Sequence, residues 1–289
     1  MNHAPFPLRC ARRPARRLSR AVAGFLMLAG ACGPGAQAAG PYASTLPAPR
    51  VEYWQHRQAA IDTALRDSAS LAAVRLVFVG DSITDFWLLG DNPWVKGQKN
   101  GRRIWDESFA GLQPDNRALN IGISGDRTEH LLHRLAPAAA GGLGHLDPAA
   151  LKPEFLIVML GINNTWAAEE PVADSVFEGV RAVLLRLHER QPGARTVLQS
   201  ILPTSDPAKN AEVVRVVNQR LAALAASPAW AGHTVWLDLY PGFVDAAGVQ
   251  IAGLFNDGLH PNEAGYRVWR DRLLPFLAEQ RRGGVLPRP

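Results

Sequence analysis

Short, unbroken apolar runs separated by amphipathic stretches constrain this chain more than any other feature. Residues 155–160 read "FLIVML", with no polar alternation, as expected of a strand covered on both faces. Comparable runs stand at 76–79, 118–121, 196–201 and 234–239. Helical periodicity is predicted over 51–71, from Thr128 to Leu135, and over 172–189, 211–225 and 264–280. Within 172–189, Val176, Val180, Val183, Leu184 and Leu187 share one face. Pro261 is placed to suit the first turn of the last helix. Alternating strands and helices of this kind predict an α/β fold, a parallel sheet covered by helices on both sides. Ligands of such sheets bind beyond the carboxyl ends of the strands, so any chemistry should follow directly after the apolar runs.

The first 38 residues do not fit that alternation. They carry six arginines and no acid, then the apolar run "AVAGFLMLAGAC" at 21–32, then Ala36-Gln37-Ala38. This order is that of a secretory signal peptide cleaved before Ala39, and the run is too short for a permanent membrane span. The chain is therefore expected to be exported, to a periplasmic or extracellular site, without stable membrane insertion. A twin-arginine signal at Arg16-Arg17 is disfavoured by Ser19-Arg20, and lipid attachment at Cys32 by Ala29 three residues before it.

Cleavage changes two global properties. The net charge of +5 comes from 31 Lys+Arg against 26 Asp+Glu, and losing six arginines leaves −1. Basicity is thus no argument for nucleic-acid binding, which needs a clustered basic face. Cys10 and Cys32, the only cysteines, leave as well, so the remainder must rely on its core without disulfides or thiol chemistry. Residues 39–50 form a Pro-rich lead-in, and 51–289 read as one domain.

Four strand exits carry polar residues. Gly80-Asp81-Ser82 follows the first run, Gly122-Ile-Ser-Gly125-Asp126 the second, and Gly161-Ile-Asn163-Asn164 the third. Asp257-Gly-Leu-His260-Pro261 lies beyond the fifth. Singly, each is ordinary turn chemistry. Together they hold the parts of an acyl-transfer site. A serine hydroxyl needs a base, an imidazole serves as one, and a carboxylate fixes its tautomer. The backbone N–H groups of Ser82 and Gly125 and the Asn163 amide are candidate oxyanion donors. Pro261 pushes His260 toward extended backbone, from which a turn can bring Asp257 back to the ring.

The blocks "VFVGDSIT", "NIGISGD", "VMLGINN" and "DGLHPNEAGY" resemble the GDSL/SGNH hydrolases. "LNIGISGDRTEHLLHRL" and "ERQPGARTVLQSILPT" look most like catalytic subunits of platelet-activating-factor acetylhydrolase and their bacterial relatives. The resemblance runs from about Leu76 to Leu277. It implies a flavodoxin-like, three-layer α/β/α sandwich with a five-stranded sheet. It further implies Ser82 as nucleophile, His260 as base, Asp257 as its partner, and Gly125 and Asn163 in the oxyanion hole. No cofactor or metal is implied. Asn164 stands where Asp is commoner in the family, although the acetylhydrolase-like branch also has Asn-Asn.

The remaining signals are weaker. His130 and His133, three apart on a helix, have no further ligand to complete a zinc site. Asp81 is expected to brace its turn rather than act on substrate. Segment 86–109 is the least explained, with Trp87, Trp94 and Trp105 among Lys96, Lys99, Arg102 and Arg103. Trp87 and Trp94 are candidate rim residues for a sugar or another polar substrate. The plainer alternative is that Trp87 and Trp105 pack the core beneath a surface loop. The expected activity is hydrolysis of short, acetyl-type esters, with a small ester or acetylated glycan as substrate. Hydrolysis of longer acyl chains, as by a lipase, lysophospholipase or thioesterase, and silent glycan binding on the same fold are the alternatives.

Overall fold

The computed structural model describes residues 41–50, 54–167 and 169–283. The expected export segment lies outside them. A single sheet runs through the domain in the order β2-β1-β3-β4-β5. Its strands are β1 (Leu76–Gly80), β2 (Ala118–Asn120), β3 (Phe155–Met159), β4 (Arg195–Gln199) and β5 (Thr234–Leu237). All neighbours pair in parallel, with Phe78 opposite both Asn120 and Ile157. Every residue of β1 and β3 is buried, which explains their unbroken apolar character.

The helices are α1 (Trp54–Arg66), α2 (Ser68–Ala72), α3 (Ser82–Asp85), α4 (Arg102–Ser108), α5 (Thr128–Leu135), α6 (Val172–Arg190), α7 (Pro207–Lys209), α8 (Arg215–Ala226) and α9 (Glu263–Gly283). On one side of the sheet, Phe78 packs against Trp87, Trp105 of α4 and Phe109, and Trp87 in turn meets Tyr266 and Trp269 of α9. The α5–α6–α8 group contributes Leu131, Val180, Leu184 and Leu221 to the core. Among the described residues, no helix is long and apolar enough to cross a membrane.

The structure refines four of the sequence expectations. The helix predicted over 51–71 breaks at Asp67, whose carboxylate accepts from the Ser70 amide (3.0 Å) and hydroxyl (2.6 Å) and so starts α2. Segment 86–109, given no element from the sequence, carries a 3₁₀ turn at Phe86–Leu88 and α4 at Arg102–Ser108. Pro261 precedes the last helix rather than opening it, and Asn262 accepts from the Gly265 amide at 3.1 Å. The lead-in is packed into the domain: Ser44 donates to the Ser175 carbonyl (2.8 Å), and Thr128 donates its hydroxyl proton to the Ser44 carbonyl (2.7 Å).

The chain proceeds from β1 to β2 on one side and then to β3 on the other. The carboxyl ends of β1 and β3 therefore flank the point where strand order reverses, where open α/β sheets leave a crevice.

Candidate active site

The turn after β1 is dictated by contact. A Cβ on Gly80 would collide with the Thr84 hydroxyl and the Met159 carbonyl, so glycine lets β1 turn directly against β3. Asp81 then caps α3, its Oδ1 accepting from the Ile83 amide at 3.0 Å. Ser82 opens α3 with a largely buried side chain, 3% exposed. Tyr266 of α9 donates to the Ile83 carbonyl at 2.8 Å and holds this turn from behind.

His260 Nε2 lies 2.9 Å from Ser82 Oγ, and His260 Nδ1 lies 2.7 Å from Asp257 Oδ2. Asp257 Oδ1 also accepts from the His260 amide (2.8 Å) and the Leu259 amide (3.1 Å). One carboxylate thus fixes both the ring and the backbone that carries it. Burial raises the Asp257 pKa, but hydrogen bonds from the His260 ring and amide outweigh it and hold the group down to about 2. With Nδ1–H directed at this carboxylate, Nε2 is left to accept the serine proton. Gln250 steadies the loop by donating to the Pro203 carbonyl (2.8 Å) and the Gly258 carbonyl (2.9 Å).

Segment 122–126 runs beside the serine turn, because the Ile123 amide donates to the Gly80 carbonyl at 3.3 Å. Gly125 takes a left-handed φ of 78°, a conformation that glycine adopts without strain. The Ser124 amide donates to Asp85 of α3 at 3.0 Å, and Asn163 Nδ2 donates to the Asp126 carbonyl at 2.8 Å. The segments carrying Ser82, Gly125 and Asn163 are thereby tied directly to one another.

A buried ionic network underlies this segment; sequence reading named Asp126 at the strand exit but missed its partners. Asp126 is fully buried and accepts from Arg134 Nε (2.8 Å), Arg50 (3.1 Å) and Trp54 Nε1 (3.1 Å), and its carboxylate also ion-pairs with Arg134 Nη2 at 2.6 Å. Arg134 also donates to the Ile121 carbonyl at 2.8 Å. Arg57 pairs with Asp85 at 2.8 Å and donates to the Gly122 carbonyl at 3.1 Å. The one available clue was Arg134, a charged position on α5 among the inward-turned Leu131 and Leu135.

Asn164 has a structural reason to be an amide. Its Oδ1 accepts from the Thr128 amide (3.0 Å), while its Nδ2 donates to Glu129 (2.9 Å). An aspartate there would face the Glu129 carboxylate without a proton to offer. His130 accepts from the Arg127 amide at 3.0 Å, and burial lowers its pKa to about 4. It is an internal brace.

The two rim tryptophans part company. Trp87 is fully buried in the aromatic cluster with Phe109, Tyr266 and Trp269, so it is corrected from rim to core. Trp105 is likewise core. Trp94 is 59% exposed and lies 5.2 Å from the Phe86 ring, itself 4.8 Å from the His260 ring. It stands at the edge of the site.

The model of the GDSL-like Lipase/Acylhydrolase family matches residues 78–268. Platelet-activating factor acetylhydrolase IB subunit alpha1 of Bos taurus is 33% identical over 220 residues, covering 74% of this chain and 81% of the relative. The Homo sapiens subunit is 34% identical over 216 residues, covering 73% and 80%. Among solved structures, a GDSL-like lipase from Bacteroides thetaiotaomicron superposes with a TM-score of 0.54 at 18% identity, covering 76% of this chain and 98% of that one. A member of the lipolytic protein G-D-S-L family from Veillonella parvula gives 0.51 at 20% identity, covering 71% and 98%. At these identities the structural likeness speaks to fold.

Proposed function

The chain belongs to the GDSL-like lipase/acylhydrolase family and is an ester hydrolase, and we propose that it removes short acyl groups, acetyl above all, by a Ser82 acyl-enzyme route. The observation that carries this reading is the hydrogen-bonded series Ser82–His260–Asp257, at 2.9 and 2.7 Å.

In this mechanism Ser82 Oγ attacks the ester carbonyl carbon while its proton passes to His260 Nε2. Asp257 stabilises the imidazolium and stays ionised throughout. The carbonyl oxygen takes up negative charge beside the Ser82 and Gly125 N–H groups and the Asn163 amide. Each such donor is worth about 2.7–4 kcal/mol of barrier. As the oxyanion collapses, the ester C–O bond breaks and His260 protonates the leaving alcohol. A water molecule then gives a proton to His260 and attacks the acyl carbon; the acyl–Oγ bond breaks, His260 returns the proton to Ser82 Oγ, and the acid is released.

One observation supports a short acyl group. The named relatives are acetylhydrolases. An acetylated glycan is the favoured carrier, given the exposed Trp94 at the site's edge. Export through residues 1–38 belongs to the same reading, supported by their basic, apolar and Ala-Gln-Ala order.

Hydrolysis rates across p-nitrophenyl esters from acetyl to palmitoyl test the acyl length. The acetate should be fastest, and faster turnover of long chains would overturn the assignment. N-terminal sequencing of the exported protein should begin at Ala39.

A further inference from the structure

Trp94 and Trp166 are the two tryptophans left exposed among the described residues, at 59% and 55%. Both belong to strand exits that border Ser82. A single exposed apolar side chain needs no explanation, but this pair flanks a reactive centre.

Trp166 ends the 3₁₀ turn Ile162–Trp166, which also carries Asn163. Side chains three apart in such a turn are eclipsed, with about 6 Å between them along its axis. The indole therefore stands on the same side as the Asn163 amide, just beyond it. It is held there: Lys209 Nζ sits 3.7 Å from the ring centroid and donates to Thr165 Oγ1 at 3.2 Å. Trp94 lies beyond the other flank, reached from the His260 ring through Phe86. Asn92 Oδ1 accepts from the Trp94 amide at 2.9 Å and fixes that turn. The residues through which each indole reaches the site, His260 on one flank and Asn163 on the other, are polar, as is Ser82.

We propose that Trp94 and Trp166 are two stacking platforms of an oligosaccharide-binding cleft, with one sugar ring against each indole and the acetylated unit between them at Ser82. This rests on the short-chain esterase reading above and specifies its glycan as an oligosaccharide held by two named side chains. An indole offers a flat apolar face and a polar N–H edge. A pyranose ring presents C–H groups on its face and hydroxyls around its rim, so the two surfaces match. A lipid chain would need an unbroken apolar trough, and these polar residues interrupt one.

The test uses chemically acetylated hexasaccharides of xylose, glucose and N-acetylglucosamine, the matching acetylated monosaccharides, and p-nitrophenyl acetate. The wild type should prefer at least one hexasaccharide over its monosaccharide, chiefly through KM. Trp166→Ala and Trp94→Ala should each reduce that preference about five- to tenfold. Trp166→Phe should recover much of it, and Leu185→Ala, an exposed apolar residue on α6, should not change it. If no hexasaccharide is preferred, or if both alanine variants keep the preference, the cleft is refuted while esterase activity on p-nitrophenyl acetate still stands. Failure of the folded wild type on every ester would sink the esterase reading, and the cleft with it. Faster turnover of p-nitrophenyl palmitate micelles that Trp166→Ala abolishes would assign the indoles to lipid and overturn the proposal.

Discussion

The side-chain amide of Asn163 donates to the main-chain carbonyl of Asp126 at 2.8 Å. One proposed oxyanion donor thus holds the loop that presents another, the Gly125 N–H. The Asn163 amide has two protons, and one remains for the substrate.

Asn163→Ala should lower kcat on p-nitrophenyl acetate by about 10²–10³-fold with a small change in KM. Steady-state kinetics check this. A rise in KM at constant kcat would show that Asn163 binds ground state and transition state alike.

Ser82→Ala should remove at least about 10³-fold of the activity while leaving the circular dichroism spectrum and melting temperature near those of the wild type. Labelling by a serine-directed phosphonate, followed by mass spectrometry, should modify Ser82 in the wild type and nothing in the variant. Retained turnover would rule out this residue as nucleophile.

Asp257→Asn should cost about 10²–10⁴-fold in kcat, because the amide no longer selects the His260 tautomer with Nε2 free. The carboxyl itself is held down to about 2, so between pH 4 and pH 9 it stays ionised in the folded chain. A pH–rate profile whose acid limb survives unchanged in shape in the variant would agree with this. A limb abolished by the substitution would instead assign it to Asp257.

Asp81 provides the pH dependence of stability. Burial raises its carboxyl from 3.8 to about 7, partly offset by the Ile83 amide and by His260. Between about pH 4 and pH 7 the folded chain keeps a proton that the unfolded chain has released, so this group disfavours folding increasingly as pH rises. Asp81→Asn keeps the Oδ1 acceptor and has no such proton to lose. Its stability relative to wild type should climb from pH 4 to pH 7 and then level off, read from urea midpoints. Parallel curves would show that Asp81 does not titrate in this window.

Arg134→Met should destabilise the domain by about 3–5 kcal/mol, because it leaves the buried Asp126 carboxylate with Arg50 as its one remaining cation. Equilibrium urea unfolding measures it. A loss below about 1 kcal/mol would mean that Arg50 and Trp54 compensate Asp126 unaided.

Much of the fold and of the candidate site was legible because it depends on local pattern. Continuous apolar runs such as 155–160 mark strands buried on both faces, and the polar residues that end them must lie at the sheet's carboxyl edge. Helix boundaries were less legible, since the break at Asp67 depends on a capping bond to Ser70 within an otherwise helical pattern. The burial of Trp87 was decided by distant partners, because Tyr266 and Trp269 reach it only when α9 packs on the sheet.

The sequence by itself determined the chemistry available at each strand exit: a hydroxyl at Ser82, an amide at Asn163, and an imidazole with its carboxylate at His260 and Asp257. Only the tertiary structure decided the distances and the support. A span of 178 residues closes to 2.9 Å between His260 and Ser82 because β1 and the last loop meet at one edge of the sheet. The Asp126–Arg134 pair lies beneath segment 122–126 because a charge removed from water must find its opposite within contact distance. Trp94 and Trp166 remain exposed beside Ser82 for a related reason: exposure depends on which surfaces neighbouring elements leave uncovered, and residue type does not determine that.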